Sequence, residues 1–531
     1  MHRNERGINM YDLVIKNGKV LDGGGSPWVR RDIAVKGDKI AGLGYFFGGG
    51  KVLDGTGLYV APGFIDVHSH AEFQVLAAPG LENRLLQGVT TQITGNCGDS
   101  ATPVVEGDNK LNFLDPFARQ IYISWSNLPE YLAQVDAVKP ATNIGTLTGH
   151  GRVRYCVMGF KNTKPTRKEL DEMKRIIAGE MEAGAFGLSS GLGYAVGSYA
   201  DTEELIECCK VVAEYNGLYV SHIRDQKAGL LDSVREAIII GEKAGLPVQI
   251  SHFKASGKPN WGSVQPALEL INEARARGVD ITVDQYPYNS GHGYLLGVIP
   301  QWLQEEGREE IVIKLKQDKI RARIKEEMAS FDWHARLIAS LPSNRQEYTG
   351  KSIGEMADEK RQHPVDFACD LLLEHGLEIM IIGFWGCEED VEKVLTSNLQ
   401  MVASDGIEAP SGMVHPRTYG TFPKILAKYV KEGILSLPEA VRKMTAFPAL
   451  KFGLNGRGII GSNYQADLVL FDLKEITDVA TIENPRVVAP GIKYVIVNGK
   501  IAAQNGRPTG ERKGMVLRNT SLVGGKDVYK H

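Results

Sequence analysis

Cysteine is scarce in this chain, six in 531 residues. With no paired spacing among them, a disulfide framework is disfavoured and a reducing cytoplasm is the expected setting. The adjacent Cys208 and Cys209 lie in a helix-like stretch and read as core packing. Long apolar runs are missing: nothing approaches the roughly 20 residues that span a bilayer. The opening MHRNERGINMYDLVIKNGKV also lacks the apolar centre of a signal peptide. An excess of one charge is missing too, since 61 Lys and Arg oppose 64 Asp and Glu. That balance argues against nucleic acid or an anionic membrane as the main partner. What remains is a chain 43% apolar, with ample material for a large buried core. Histidine is sparing at 12, yet two stand one residue apart in APGFIDVHSH, Ala61 to His70.

The first nine or ten residues are polar and read as a disordered extension. Residues 11–61 then read as short strands, with Asn-Gly and Gly-Asp supplying turns. The far end, 456–520, reads the same way, and IxNGK occurs in both segments. Two such halves predict one small β domain, a β-sandwich built from both termini, with a second domain between them. In that middle, residues 62–455, apolar strand-like runs (TTQITG, TNIGTLTG, FGLSSG, GLYVSHIR, PVQISHFK, DITVDQYPY, EIMIIGF, LQMVASDG) alternate with helical segments, several ending in glycine. With GFIDVHSH in front, the count suits an α/β fold, a closed (β/α)8 TIM-like barrel. Two stretches break the rhythm: 101–140, and a larger insertion at about 289–375 of the kind used as a lid.

Residues i and i+2 of an extended chain share a face. His68 and His70 could therefore hold one ion together, or be two polar side chains at a strand's wet end. The other strand tips tilt the balance. Cys97 ends the second strand, His222 and His252 end two later ones, and Asp405 a late one. In a (β/α)8 barrel these tips converge on one mouth. Nitrogen, thiolate and carboxylate ligands together suit zinc better than magnesium or calcium. Asp405 before glycine could also be an ordinary loop or helix-capping aspartate.

PGFIDVHSH, GNCG (95–98), SSGLGYAVGSYADTEEL (189–205), SHIRD (221–225), SHFK (251–254), DQYPY (284–288) and SDG followed by HPRTYGTFP resemble the N-acyl-D-amino-acid deacylases, or D-aminoacylases, of the amidohydrolase superfamily. The resemblance runs from about residue 11 to 510. It implies a tight Zn2+ site of Cys97, His222 and His252, with His68 and His70 at a second, more weakly held position. It implies Asp405 as general base and acid, and Tyr194 as a hydroxyl donor to the oxyanion. It also implies Arg417, Lys254 and Tyr286 as the grip on the α-carboxylate of a small N-acyl-D-amino acid; for the arginine and the lysine, a solvated surface charge is the blander reading.

Two departures from the family pattern stand out. Ala195-Val196-Gly197 replaces a common proline, so the rigidity of that loop is expected to differ. His292 stands where a small hydroxyl residue is usual, and is expected to replace that substrate contact or to alter which side chains are accepted. HGRVR (150–154) also matches a family stretch, but no ligand role follows for His150 from spacing. The alternatives are a cyclic-amide hydrolase of dihydroorotase or hydantoinase type, which would carry a carboxylated lysine, a dipeptidase for peptides with a C-terminal D-residue, and a non-catalytic barrel. Loss of ligands or base would mark the last, and none is lost here. The preferred side chain and the oligomeric state are not legible in the sequence.

Overall fold

The computed structural model describes residues 10–105, 115–305, 307–342 and 346–520. The polar extension expected at the N-terminus lies outside them, except for Met10. Residues from both ends join one nine-stranded sheet. Tyr59–Pro62 pairs antiparallel with Leu468–Phe471, which stitches the N-terminal strands to the C-terminal ones. The two Asn-Gly pairs behave differently. Asn498-Gly499 turns a hairpin between Ile492–Val497 and Lys500–Gln504. Asn17-Gly18, read as a turn, instead forms a bulge inside the single strand Leu13–Val20, where the register shifts between Ile15 and Gly18. The Asp32 carboxylate accepts the Asn17 N–H at 2.9 Å, so the bulge loses no backbone partner there.

The middle of the chain is a (β/α)8 barrel. Phe64–Asp66, Val89–Thr94 and Asn143–Thr146 run parallel as one arc. Thr148–Gly149, which continues Asn143–Thr146 past one residue, joins Gly187–Gly191, Leu218–His222, Val248–Ile250, Ile281–Gln285 and Gln400–Val402 in the other. The ring closes where Gly406–Ile407 pairs with Ser69–His70. The strands are buried on both faces, as parallel strands under a helical coat must be. The helices carry the expected stops and starts. Thr166 opens Arg167–Glu182 with a capping box to Glu169, and Gly245 closes Leu230–Ala244 at φ 72°. Cys208 and Cys209 are fully buried on the helix Thr202–Glu214, packed into the core.

EIMIIGF was expected to be a barrel strand, and the structure corrects this. Met380–Phe384 is the middle strand of a three-stranded antiparallel sheet with Ser290–Tyr294 and Arg336–Ser340. Ile281–Gln285 pairs directly with Gln400–Val402, leaving no place for it in the barrel. An apolar run of five residues reads alike in either setting. The insertion has its own core, with Leu303, Ile311, Ile324, Trp333, Ile353 and Phe367 among its buried members. No helix among the described residues is long and apolar enough to cross a membrane.

Candidate metal centre

Six strand-end residues meet at the barrel mouth. Cys97 Sγ lies 3.4 Å from His68 Nε2, 3.5 Å from His252 Nε2 and 3.7 Å from His222 Nδ1. Asp405 Oδ1 lies 3.4 Å from His68 Nε2 and 3.3 Å from His70 Nε2. Among the described residues, two sets bring one ligand-capable atom from each member within 4.8 Å of the others: His68, Cys97 and His252, and His68, His70 and Asp405. His68 thus belongs to both, and His222 reaches the first through the sulfur. Soft sulfur and imidazole nitrogen beside one carboxylate make a donor set that fits a metal ion of the zinc type.

The backbone gives up comfort to aim these groups. Cys97, His252 and Asp405 all have positive φ, 56°, 35° and 47°, a region that costs a residue with a side chain of order 1–3 kcal/mol. Gly98 leaves room for the Cys97 turn, because a Cβ there would lie 2.5 Å from the Gly191 nitrogen. Asp405 is further tied by its N–H, which donates to the His68 carbonyl at 2.8 Å.

Sequence reasoning missed the groups behind the ligands. Asp284 Oδ1 sits 3.2 Å from His68 Nδ1 and accepts the His252 backbone N–H at 2.7 Å. Gln226 Nε2 stands 3.0 Å from His252 Nδ1. Such partners fix the ring and tautomer of a ligating histidine. The signal for Asp284 was present: a carboxylate inside the apolar strand DITVDQ, buried on both faces, needs a partner of its own.

Burial lowers His222 to about 3 and His252 well below the usual imidazole range, helped by Lys254. Both rings are therefore neutral and able to ligate. Burial works to raise Asp405, but the Arg417 guanidinium, His68 and His70 hold it well below the usual carboxylate range. Burial also pushes Lys254 down to about 8.

A cavity of about 210 Å³ opens over this cluster, and Asp405, His222, His252, Lys254, Tyr286 and Arg417 line it, with Tyr194 and His292. Arg417 is buried and places Nη1 2.7 Å from Asp405 Oδ2, while its Nη2 donates to the His292 carbonyl at 3.0 Å. Its guanidinium lies 4.4 Å from the centre of the Tyr286 ring. Lys254 Nζ lies 5.6 Å from that ring and 5.4 Å from Trp385. Tyr194 is 42% exposed at the rim, its ring 4.5 Å from that of His222. Both ring nitrogens of the buried His292 lack a hydrogen-bond partner among the described residues. His150 stays outside the cluster, 2.9 Å from Glu204.

The model of the amidohydrolase family matches residues 51–503. The D-aminoacylase of Alcaligenes xylosoxydans xylosoxydans is 33% identical over 519 residues, 96% of this chain and 98% of that one. The chain belongs to the amidohydrolase family, among its N-acyl-D-amino-acid deacylases. Solved deacylases agree with this placement. The N-acyl-D-glutamate deacylase of Bordetella bronchiseptica, complexed with zinc and a phosphonate mimic of the tetrahedral intermediate, superposes with a TM-score of 0.83 at 31% identity, covering 96% of this chain and 99% of that one. A D-aminoacylase whose structure addresses a binuclear metal centre gives 0.82 at 32% identity, covering 96% and 100%.

Proposed function

We propose that this deacylase hydrolyses N-acyl-D-amino acids to a carboxylate and a free D-amino acid, with zinc at the cluster around Cys97. The observation that carries the reading is Cys97 Sγ within 3.4–3.7 Å of three imidazole nitrogens, beside a carboxylate that also reaches His68 and His70. Cys97, His222 and His252 are assigned to the tight ion, and His68 and His70 to a second, weaker position. Bound there, zinc supplies Lewis acidity and lowers the pKa of water.

The chain's own residues do the rest. Asp405 is ionised, so Oδ1 can take a proton from the attacking water and return it to the departing nitrogen, without which the amide C–N bond does not break. Tyr194 Oη is assigned as donor to the carbonyl oxygen as charge develops on it. Lys254, with the Tyr286 phenol, receives the α-carboxylate. Arg417 shares that task while its Nη1 holds Asp405 in place. Gln226 and Asp284 keep two imidazoles aimed. Residues 62–455 are the catalytic unit and 11–61 with 456–520 the small β domain. The six cysteines, none in a disulfide, suit a cytoplasmic setting.

The test is a paired panel of N-acetyl-D- and N-acetyl-L-amino acids with the zinc-loaded protein, read as free amine. D-selective release, lost in Asp405→Asn, is expected. Release from neither series, or a carboxylated lysine at the centre, would overturn the assignment.

A further inference from the structure

The insertion sheet forms one wall of the cavity, and the residues on one of its faces are unusual. Gly291 pairs with Gly383, which pairs with Arg336, and Gly293 pairs with Ile381. Alternation along a strand puts Gly291, Gly293, Ile381, Gly383 and Arg336 on the same side, and all five line the cavity. None of the three glycines has a positive φ, so the backbone does not require them. They supply room, as glycine in a strand does where another group approaches closely. A Cβ on Gly291 would lie 3.0 Å from the Tyr286 hydroxyl and 3.0 Å from Trp385 Nε1, whereas one on Gly293 would meet nothing within 4 Å. A Cβ on Gly383 would lie 3.4 Å from both Cδ and Nε of Arg336 and 3.6 Å from Cζ. The arginine therefore reaches across its neighbouring strand over bare backbone.

Arg336 has not spent its charge. Nη1 donates to the carbonyls of Ala335 at 2.9 Å and Phe384 at 3.3 Å, and the guanidinium lies 4.7 Å from the Phe331 ring. Among the described residues no carboxylate lies within 4.0 Å of it; Asp332 acts on it only at longer range. A half-buried guanidinium beside a cavity, without an acid, is suited to a carboxylate from the ligand. The α-carboxylate already has Lys254 and Arg417, which line the same cavity.

We propose that Arg336 determines specificity by binding a second carboxylate of the substrate in the glycine-lined space, so that the favoured substrates are dianionic N-acyl-D-amino acids. This rests on the deacylase reading above. The second carboxylate could belong to the amino-acid side chain or to the acyl group, and matched pairs separate the two. N-acetyl-D-glutamate and N-acetyl-D-aspartate are compared with their isosteric amides, N-acetyl-D-glutamine and N-acetyl-D-asparagine. N-succinyl-D-leucine is compared with its succinamoyl counterpart.

The wild-type enzyme is expected to favour the acid of at least one pair by about tenfold to a hundredfold in kcat/KM, the range of one charge-assisted hydrogen bond. Arg336→Gln should collapse that ratio mainly through KM, and Arg336→Lys should restore part of it. A preference in the first two pairs assigns the side chain, and one in the third assigns the acyl group. If wild type cleaves neutral N-acyl-D-amino acids yet prefers no acid over its amide, or if the ratio survives in Arg336→Gln, this inference fails while the deacylase reading stands. Hydrolysis of no N-acyl-D-amino acid at all overturns both. The wild-type comparison needs no variant to fold.

Discussion

Replacing Arg84 by methionine tests how the catalytic corner is held in place. Arg84 is 1% exposed and ion-paired through Nε to Asp66 Oδ2 at 3.1 Å. Its Nη1 donates to the Thr418 carbonyl at 2.5 Å and its Nη2 to the Gly406 carbonyl at 2.8 Å. Asp66 in turn accepts the N–H of Ser404 at 2.9 Å and its hydroxyl. One guanidinium therefore fastens the loop on both sides of Asp405. Methionine keeps much of the apolar volume but strands a fully buried carboxylate and takes a donor from each of two carbonyls, that of Thr418 keeping Gln87 Nε2 at 2.9 Å. Breaking a buried pair from one side costs about 3–5 kcal/mol, a large share of the roughly 5–15 kcal/mol that holds a domain folded. Urea unfolding should show that loss, and kcat/KM should fall about tenfold or more as Asp405 loses its anchorage. Adding Asp66→Asn, which removes the stranded charge, should recover about 1 kcal/mol or more, a coupling that a double-mutant cycle measures. Gly406→Ala should act in the same direction, because its Cβ would lie 2.1 Å from Arg84 Nη2. A loss under about 1 kcal/mol in Arg84→Met, with unchanged kcat/KM, would refute the reasoning, since it would lie far below the cost of breaking a buried pair.

Cys97→Ser removes the sulfur that three imidazoles share. Metal content by elemental analysis after dialysis should drop by most of the tight ion, whereas Cys156→Ser should retain it. Glu180 concerns stability alone. Burial raises it to about 7 from an ordinary value near 4.5, against hydrogen bonds from Thr102 and the Leu128 N–H. A raised folded-state pKa means the protonated form is favoured on folding. The stabilisation is full below about pH 4.5 and is lost as pH rises through 7. Glu180→Gln should therefore gain up to about 3 kcal/mol on wild type above pH 7, with the gap closing toward pH 4.5. Parallel pH profiles in chemical denaturation would count against it.

Most of the barrel was legible, because its strands are apolar runs set off by glycine-capped helices. The candidate ligands stand at strand ends, where spacing reveals them. The errors share one cause. Met380–Phe384 and Asn17-Gly18 have local patterns that fit two settings, and the partner strand, distant in sequence, decides between them. Gln226 and Arg84 were invisible for a different reason. Each acts through a contact that the fold creates, Arg84 reaching 322 residues along the chain to Gly406. The positive φ of Cys97, His252 and Asp405 leaves no mark in composition, because residues with side chains are held there by surrounding structure rather than by preference.

The insertion keeps a core of its own and lends the cavity one wall, while the candidate ligands and Asp405 belong to barrel strands and their tips. With Arg336 selecting the substrate as proposed, chemistry and choice of substrate would reside on separately supported parts of the molecule. Substitutions on the glycine-lined wall should combine additively with changes at the ligands wherever they share no contact. A lineage could then exchange one wall for another, acquiring new diets by small steps, while the reaction itself stays untouched.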